Sequence, residues 1–97
     1  MVERTLLVKA GLGLHARAAA KLVRVASGFE SQVLLRRVDG SAPGADAKSI
    51  LSVLMLAASR STQLHASAEG IDEEAAMNAI DKLFANGFGE MEPEPSR

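Results

Sequence analysis

Residues 5–17 read Thr5-Leu6-Leu7-Val8-Lys9-Ala10-Gly11-Leu12-Gly13-Leu14-His15-Ala16-Arg17, and within them a strand-like pattern gives way to a helix-like one. Thr5 to Lys9 is a short β-type run that Gly11 and Gly13 interrupt. His15 stands where the helix pattern begins, beside backbone N–H groups without intrahelical partners and near the positive end of the helix dipole. Such a junction is an anion site, and His15 adds a nucleophile to it.

The helix pattern that follows runs from Ala16 to Ser27, and we expect Gly28 to end it in a left-handed conformation. Its apolar stripe and its basic stripe lie on different faces. The apolar stripe contains Ala19, Leu22, Val23 and Ala26, and the basic stripe contains Arg17, Lys21 and Arg24.

Two further strands are predicted. Gln32 to Val38 is rich in Val and Leu and precedes an Asp39-Gly40 turn signal. Thr62 to Ala68 alternates between apolar and polar residues, which is typical of a half-buried strand and turns His65 toward solvent. The apolar segment Lys48 to Leu56 fits either a short helix or a buried strand, since periodicity does not separate the two.

A last helix is predicted after Asp72, a good N-cap residue followed by two glutamates in the first turn. Ile71 and Ala76 are placed to form a hydrophobic staple across its start. The buried stripe is predicted at Ala76, Ile80 and Leu83, and Gly87 is predicted to end the helix. The order of elements predicts an α+β domain with one sheet and helices on a single face. We expect one domain over residues 1–90 and a disordered acidic tail over residues 91–97.

Composition narrows the possible functions. The chain has 97 residues, a net charge of −1 and three Phe as its only aromatic residues, which argues against nucleic acid as a partner. It has no Cys and two His, so thiol chemistry is excluded and a metal site is not expected. No apolar run approaches the ~20 residues of a membrane span and no signal peptide is visible, so we expect a protein without membrane insertion.

Each candidate site has a competing interpretation. Gly11 to Ala16 also fits the G-x-G-x-x-G/A dinucleotide fingerprint, with Asp39 near the position of a ribose-binding acid. One chain of this length lacks the strands for two mononucleotide-binding halves, which argues against that module. A third possibility is a pure interaction module in which His15 is an ordinary polar residue. Ser49 is either the N-cap of the segment that follows it or a phosphorylation site.

Two motifs resemble a known family, the histidine-containing phosphocarrier proteins (HPr) of the bacterial phosphoenolpyruvate-dependent sugar phosphotransferase system. The active-site run of that family, Gly-Leu-His-Ala-Arg-Pro-Ala, resembles Gly13-Leu14-His15-Ala16-Arg17-Ala18-Ala19 here, and its regulatory run Lys-Ser-Ile matches Lys48-Ser49-Ile50. The resemblance covers about Glu3 to Glu90. It implies an open-faced β-sandwich, four antiparallel strands with three helices on one face in the order βαββαβα. The ambiguous Lys48–Leu56 segment then becomes the second helix, and a third strand lies between Asp39 and Lys48.

The resemblance also implies a function. His15 accepts a phosphoryl group on Nδ1 from phospho-enzyme I and passes it to enzyme IIA domains, while Arg17 and the amides at Ala16 and Arg17 hold the phosphate. Ser49 matches the serine that a regulatory HPr kinase/phosphorylase modifies. The protein is then a cytoplasmic, monomeric transfer intermediate without a cofactor, rather than a stand-alone enzyme, and a nitrogen-regulatory or other non-sugar relay is the alternative pathway. Docking is predicted at Ala20, Arg24, Ile50, Leu51 and Leu54, where the sequence has more apolar positions than one helix face can bury.

The chain departs from the family pattern at several positions. Ala18 replaces the usual proline at the helix start, which should loosen that start and add an N–H donor. Ser52 stands where glycine is common, and Ala57 and Ser61 replace glycines near the next turn. The loop at Ser41 to Ala45 is about three residues longer than usual. We expect these changes to leave the role of His15 intact.

Overall fold

The computed structural model describes residues 1–89 and contains four strands, three α-helices and a closing 3₁₀ turn. In chain order they are β1 (Val2–Leu7), α1 (Ala16–Ser27), β2 (Gln32–Arg37), β3 (Ala45–Asp46), α2 (Ile50–Leu54), β4 (Gln63–Glu69), α3 (Glu73–Ala85) and the turn Gly87–Gly89. The tail predicted over residues 91–97 lies outside the described residues.

The strands form one antiparallel sheet in the order β1-β4-β2-β3. In β4, Leu64, Ala66 and Ala68 point into the core, while Gln63, His65 and Ser67 lie on the open face. The three helices cover the other face, so the predicted open-faced β-sandwich is confirmed. The dinucleotide-binding interpretation is wrong, because antiparallel β4 lies between β1 and β2 and no two neighbouring strands in residues 1–89 are parallel.

Small side chains on α1 let it pack closely on the sheet. Ala18, Ala19, Leu22 and Ala26 of α1 are fully buried. At the far end of the core, the rings of Phe84 and Phe88 meet edge to face with centroids 4.8 Å apart. The core is therefore mainly aliphatic and contains one aromatic pair, as expected for a chain with three Phe and no Trp or Tyr.

Local signals predicted the regular elements better than their ends. The predicted bounds of α1 are those observed, but Gly28 ends the helix in the right-handed region (φ −78°), so the left-handed prediction is wrong. The staple across the start of α3 is also wrong, because Ile71 is 90% exposed. The last helix ends at Ala85, two residues before Gly87, which adopts a left-handed conformation (φ 62°).

The limits of the strands follow from the strands they pair with, and the ambiguous segment Lys48 to Leu56 contains a helix. β1 begins at Val2 rather than Thr5 because β4 offers it partners from Ala68 to Gln63. β3 has only two residues, paired with Leu34 and Leu35 of β2. The segment after Lys48 forms α2, as the family resemblance implied.

Asp72 joins the start of α3 to the start of β2. Its side chain makes no capping hydrogen bond within α3, contrary to the usual role of an N-cap aspartate. Instead, Oδ2 accepts the Glu30 N–H at 2.9 Å, and Oδ1 accepts both the N–H and the hydroxyl of the fully buried Ser31. The Ser31 hydroxyl is the main cause of the lowered pKa of Asp72, followed by the Glu30 amide.

We expect Asp72→Asn to reduce stability at neutral pH and to matter progressively less in acid. The folded-state pKa of Asp72 lies below its unfolded value. Its contribution is therefore present above the unfolded pKa of about 4 and is lost as pH falls below that value. Urea unfolding of both proteins from pH 7 to pH 3 should show the difference in the free energy of unfolding shrinking as pH falls.

Glu74→Gln is the matched control, because Glu74 is exposed and its carboxylate accepts no hydrogen bond from residues 1–89. The pKa values of Asp39 and Glu73 are also lowered, so the wild type loses further stability in acid, and only the difference between variants isolates Asp72. A difference that stays constant down to pH 3 would contradict the prediction.

Candidate functional site

The loop before α1 is held in shape by Gly13. Gly13 has φ +70°, and a Cβ at this position would lie 2.5 Å from the carbonyl oxygen of Ala58 and 2.8 Å from Ser59 Cα. The next residue, Leu14, donates its N–H to that same Ala58 oxygen at 2.9 Å. Glycine is required at this position for two reasons: its backbone conformation is left-handed, and there is no room for a Cβ between the two backbones.

His15 is the N-cap of α1. Its backbone is extended, its carbonyl accepts the Ala19 N–H at 2.8 Å, and its Nδ1 accepts the Arg17 N–H at 3.2 Å. A ring nitrogen that accepts an N–H has no proton of its own, so with this bond made the ring proton is carried by Nε2. The nucleophilic lone pair of Nδ1 therefore points at the helix start.

Backbone amides surround this position. The N–H groups of Ala16, Arg17 and Ala18 precede the first intrahelical hydrogen bond, which Ala19 makes. Ala18, which stands in place of the family's proline, is fully buried, and the helix still begins at Ala16. A phosphoryl group at Nδ1 would lie at the positive end of a twelve-residue helix.

The basic stripe of α1 is divided between two roles. Lys21 Nζ donates to the Phe88 carbonyl at 2.7 Å and so ties α1 to the C-terminal turn. Arg17 and Arg24 are exposed, and their guanidinium groups make no hydrogen bond or salt bridge within residues 1–89. These two arginines, one beside His15 and one two turns along, are available to an anion or an acidic partner.

Ser49 is the N-cap of α2, as the structural interpretation of this residue predicted. Its Oγ accepts the Ser52 N–H at 3.3 Å. Ser52, which stands where the family often has glycine, uses its own hydroxyl to accept the Asp46 N–H at 3.1 Å and links α2 to β3. Ser49 is only partly buried, so its hydroxyl is within reach of another protein.

The residues of the predicted docking patch, Ala20, Arg24, Ile50, Leu51 and Leu54, lie on α1 and α2, which pack against each other. Leu51 is 65% exposed and Ile50 and Arg24 are also exposed, whereas Ala20 and Leu54 are partly buried. Whether a partner binds there stays a prediction.

Two exposed apolar side chains lie next to these features and were not predicted. Leu12 is 80% exposed in the turn three residues before His15, and Met55, which follows α2 directly, is 66% exposed. The sequence could have predicted the exposure of Leu12, because it stands between Gly11 and Gly13 in a turn. A residue there belongs to no strand or helix that would direct its side chain into the core.

The turn after α2 contains two strained residues. Ala57 and Ser61, which replace glycines of the family pattern, both adopt positive φ values of 50° and 75°. This left-handed region favours glycine. The long-range contacts of the loop, such as Ser61 N–H to Val8 O at 2.8 Å, hold the residues there.

Comparison with known proteins agrees with this geometry. The family model described as "PTS HPr component phosphorylation site" matches residues 2–86. A phosphocarrier protein HPr of Xylella fastidiosa (strain 9a5c) is 46% identical over 92 residues, which is 93% of this chain and 98% of that protein. A phosphocarrier protein NPr of Escherichia coli (strain K12) is 39% identical over 89 residues, 92% of this chain and 97% of its own.

Solved structures show the same fold. The crystal structure of HPr-C-His from Thermoanaerobacter tengcongensis superposes with a TM-score of 0.87 at 39% identity, covering 95% of this chain and all of that one. The open-faced sheet and the histidine at the start of α1 agree with these matches. Together they define the class of protein, a phosphocarrier. The chain belongs to the HPr family of the phosphotransferase system.

No helix in residues 1–89 is long and apolar enough to cross a membrane. Within the same part of the chain, no group of three or more His, Cys, Asp or Glu side chains could hold a metal ion.

Proposed function

We propose that the protein accepts a phosphoryl group from phospho-enzyme I on His15 Nδ1 and passes it to enzyme IIA domains of the sugar phosphotransferase system, in the cytoplasm. The observation that supports this most is the bond from the Arg17 N–H to His15 Nδ1 at the start of α1. It presents an unprotonated ring nitrogen at a site built to hold an anion.

The transfer needs little from the protein beyond position and charge. The Nδ1 lone pair forms the new P–N bond as the bond between phosphorus and the donor breaks, and the proton on Nε2 stays on the ring. The phosphoryl group takes the place of the Arg17 hydrogen bond, so that this N–H can donate to a phosphoryl oxygen instead. The exposed Arg17 guanidinium and the Ala16 amide are within the same turn and add further donors.

The same arrangement keeps the product reactive. The site has exposed, solvated donors and no buried cation, so it stabilises the phosphoryl group moderately and allows it to leave for the next acceptor. Incubation with enzyme I and labelled phosphoenolpyruvate, followed by peptide mapping, tests the proposal. Acid-labile label on His15 supports it, and absence of such label overturns it.

A second pathway has a specific observation in its favour. One relative at 39% identity is named phosphocarrier protein NPr rather than HPr, so a nitrogen-regulatory or other non-sugar relay is the alternative. Presenting the phosphorylated protein to a panel of enzyme IIA domains separates the two, because only the cognate domain should discharge His15 rapidly.

Leu51→Glu is expected to weaken binding of enzyme I by ~1–3 kcal/mol, the usual range for a central interface contact. The side chain is largely exposed, so a charge there should not disturb the fold. Calorimetric titration of the variant against enzyme I measures the effect. Ile71→Glu, at an exposed apolar residue before α3, is the control and should bind as the wild type does. Equal binding by Leu51→Glu would remove this residue from the interface.

We further propose that a regulatory kinase phosphorylates Ser49, and that the charge slows phosphorylation of His15. A phosphoserine carries about −1.5 to −2 charges and would stand beside Ile50 and Leu51, where it opposes an acidic partner that binds Arg17 and Arg24. Ser49→Asp should therefore slow the reaction with enzyme I, with little loss of stability because aspartate is a good N-cap.

Ser49→Asn is the matched control, since asparagine keeps the cap without the charge. The initial rate of His15 phosphorylation should fall for Asp and stay near wild type for Asn. If the Asp variant reacts at the wild-type rate, or if the kinase ignores the intact protein, Ser49 is only a cap.

A further inference from the structure

A pocket of about 370 Å³ opens where the ends of β1 and β2 meet the loop between α2 and β4. β1 contributes Leu7 to its wall, β2 contributes Arg37 and the two residues after it, and the loop contributes Arg60 and Ser61. The volume lies at the lower end of the range of small-molecule sites. None of these residues belongs to the phosphoacceptor site.

One wall of the pocket is rigid and electrically neutral. Arg37 Nε and Nη2 donate to the two oxygens of Asp39 at 3.2 and 3.1 Å, and Nη1 donates to the carbonyls of Leu56 and Ala57 at 3.1 and 2.9 Å. Asp39 also accepts the Ser41 N–H at 2.9 Å. The pairing holds the pKa of Asp39 far below its usual range. The only carboxylate in the pocket is therefore already satisfied.

Three polar side chains of the pocket can each donate a hydrogen bond: those of Arg60, Ser61 and Gln63. They make no hydrogen bond or salt bridge within residues 1–89, and Arg60 is the only charged group among them. Ser61 retains a side chain at φ 75°, where glycine would relieve the backbone, and this residue lines the pocket. An uncommitted arginine beside a hydroxyl and an amide selects an anion with polar substituents.

We propose that this pocket binds a small phosphate monoester, a phosphorylated metabolite, with its phosphate on Arg60 and Ser61 and its hydroxyl-bearing body against Gln63. Leu7 and Val38, both about half exposed, give that body an apolar floor. The loop that would hold the ester also contacts the residue before His15, because the Ala58 carbonyl accepts the Leu14 N–H. The ligand would thus contact the segment that positions the phosphoacceptor loop.

Titration of the ¹⁵N-labelled full chain with glucose 6-phosphate, inorganic phosphate and glucose tests the proposal. We expect saturable shifts of the Val38, Ser61 and Gln63 amides with glucose 6-phosphate, weaker shifts with inorganic phosphate and none with glucose. Arg60→Gln should weaken binding about tenfold or more, as loss of a charge-assisted contact to phosphate does. Arg36→Gln, on the open face of the sheet, is the control and should bind normally.

Several results would overturn the site. These are a lack of saturation, shifts confined to Ala16 and Arg17 at the start of α1, and unchanged binding by Arg60→Gln. Equal binding of inorganic phosphate or of glucose would also overturn the site, because the pocket would then not recognise both the phosphate and the hydroxyl-bearing body of the ester. The titration measures binding rather than phosphoryl transfer, so its outcome is independent of the function proposed above.

Discussion

His15→Ala is expected to abolish labelling from phospho-enzyme I altogether, because alanine removes the imidazole on which the proposed P–N bond forms. Alanine also removes the N-cap acceptor for the Arg17 N–H, which costs about 0.5–2 kcal/mol of stability. His15→Asn separates the two effects, since its side-chain oxygen can still accept the same N–H and cannot be phosphorylated. Acid-labile phosphate on each protein is measured after incubation with enzyme I and phosphoenolpyruvate.

His65→Ala is the matched control, because the chain has two histidines. His65 lies on the open sheet face, where Nε2 pairs with Glu3 at 2.8 Å and Nδ1 lies 3.5 Å from Arg36. Its replacement should leave labelling at the wild-type level. Label that persists in both His15 variants would show that the acceptor is another residue.

Gly13→Ala is expected to destabilise the protein by about 3 kcal/mol, the sum of a left-handed backbone cost of ~1–2 kcal/mol and the cost of moving the facing backbone. The new Cβ would lie 2.5 Å from the Ala58 oxygen, so one of the two loops must shift. For a domain of this size such a loss lowers Tm by roughly 12–24 °C. Thermal unfolding by circular dichroism measures it.

Two other glycines resolve this cost into its parts. Gly40 has φ +71° but nothing within 4 Å of its Cβ position, so Gly40→Ala should show the conformational cost alone. Gly11 has neither a positive φ nor a close neighbour, so Gly11→Ala should be near neutral. If Gly13→Ala is no worse than Gly40→Ala, the close approach at Ala58 carries no energetic weight.

Much of the site was predictable because its signals are local. The amphipathic repeat from Ala16 to Ser27 predicted α1 with its observed bounds, since the repeat is read within a few turns of one helix. The motif around His15 predicted that an imidazole would stand at the helix start. The alternation in β4 predicted which face His65 takes.

Other features depended on partners that are distant in sequence. Asp72 was predicted to cap its own helix, yet its carboxylate binds Ser31, forty-one residues away, whose N–H and hydroxyl are both buried and donate to it. Helix α2 and the two-residue β3 were predicted only through family resemblance, because neither segment has a periodicity that decides its structure.

The amino-acid sequence alone predicted the helix that begins at His15 and, through the family resemblance, the four-stranded, three-helix fold; the role of His15 as phosphoacceptor stays a prediction. The folded chain was needed to show that a Cβ at Gly13, unlike one at Gly11, would meet another backbone, which atom of His15 accepts the Arg17 N–H, and that Arg60 and Ser61 line a pocket at the end of the sheet. The physical reason is the distance along the chain over which each kind of interaction acts. Backbone preference and periodicity act over a few residues, whereas a close backbone approach or a pocket is made by segments that meet only when the core has packed.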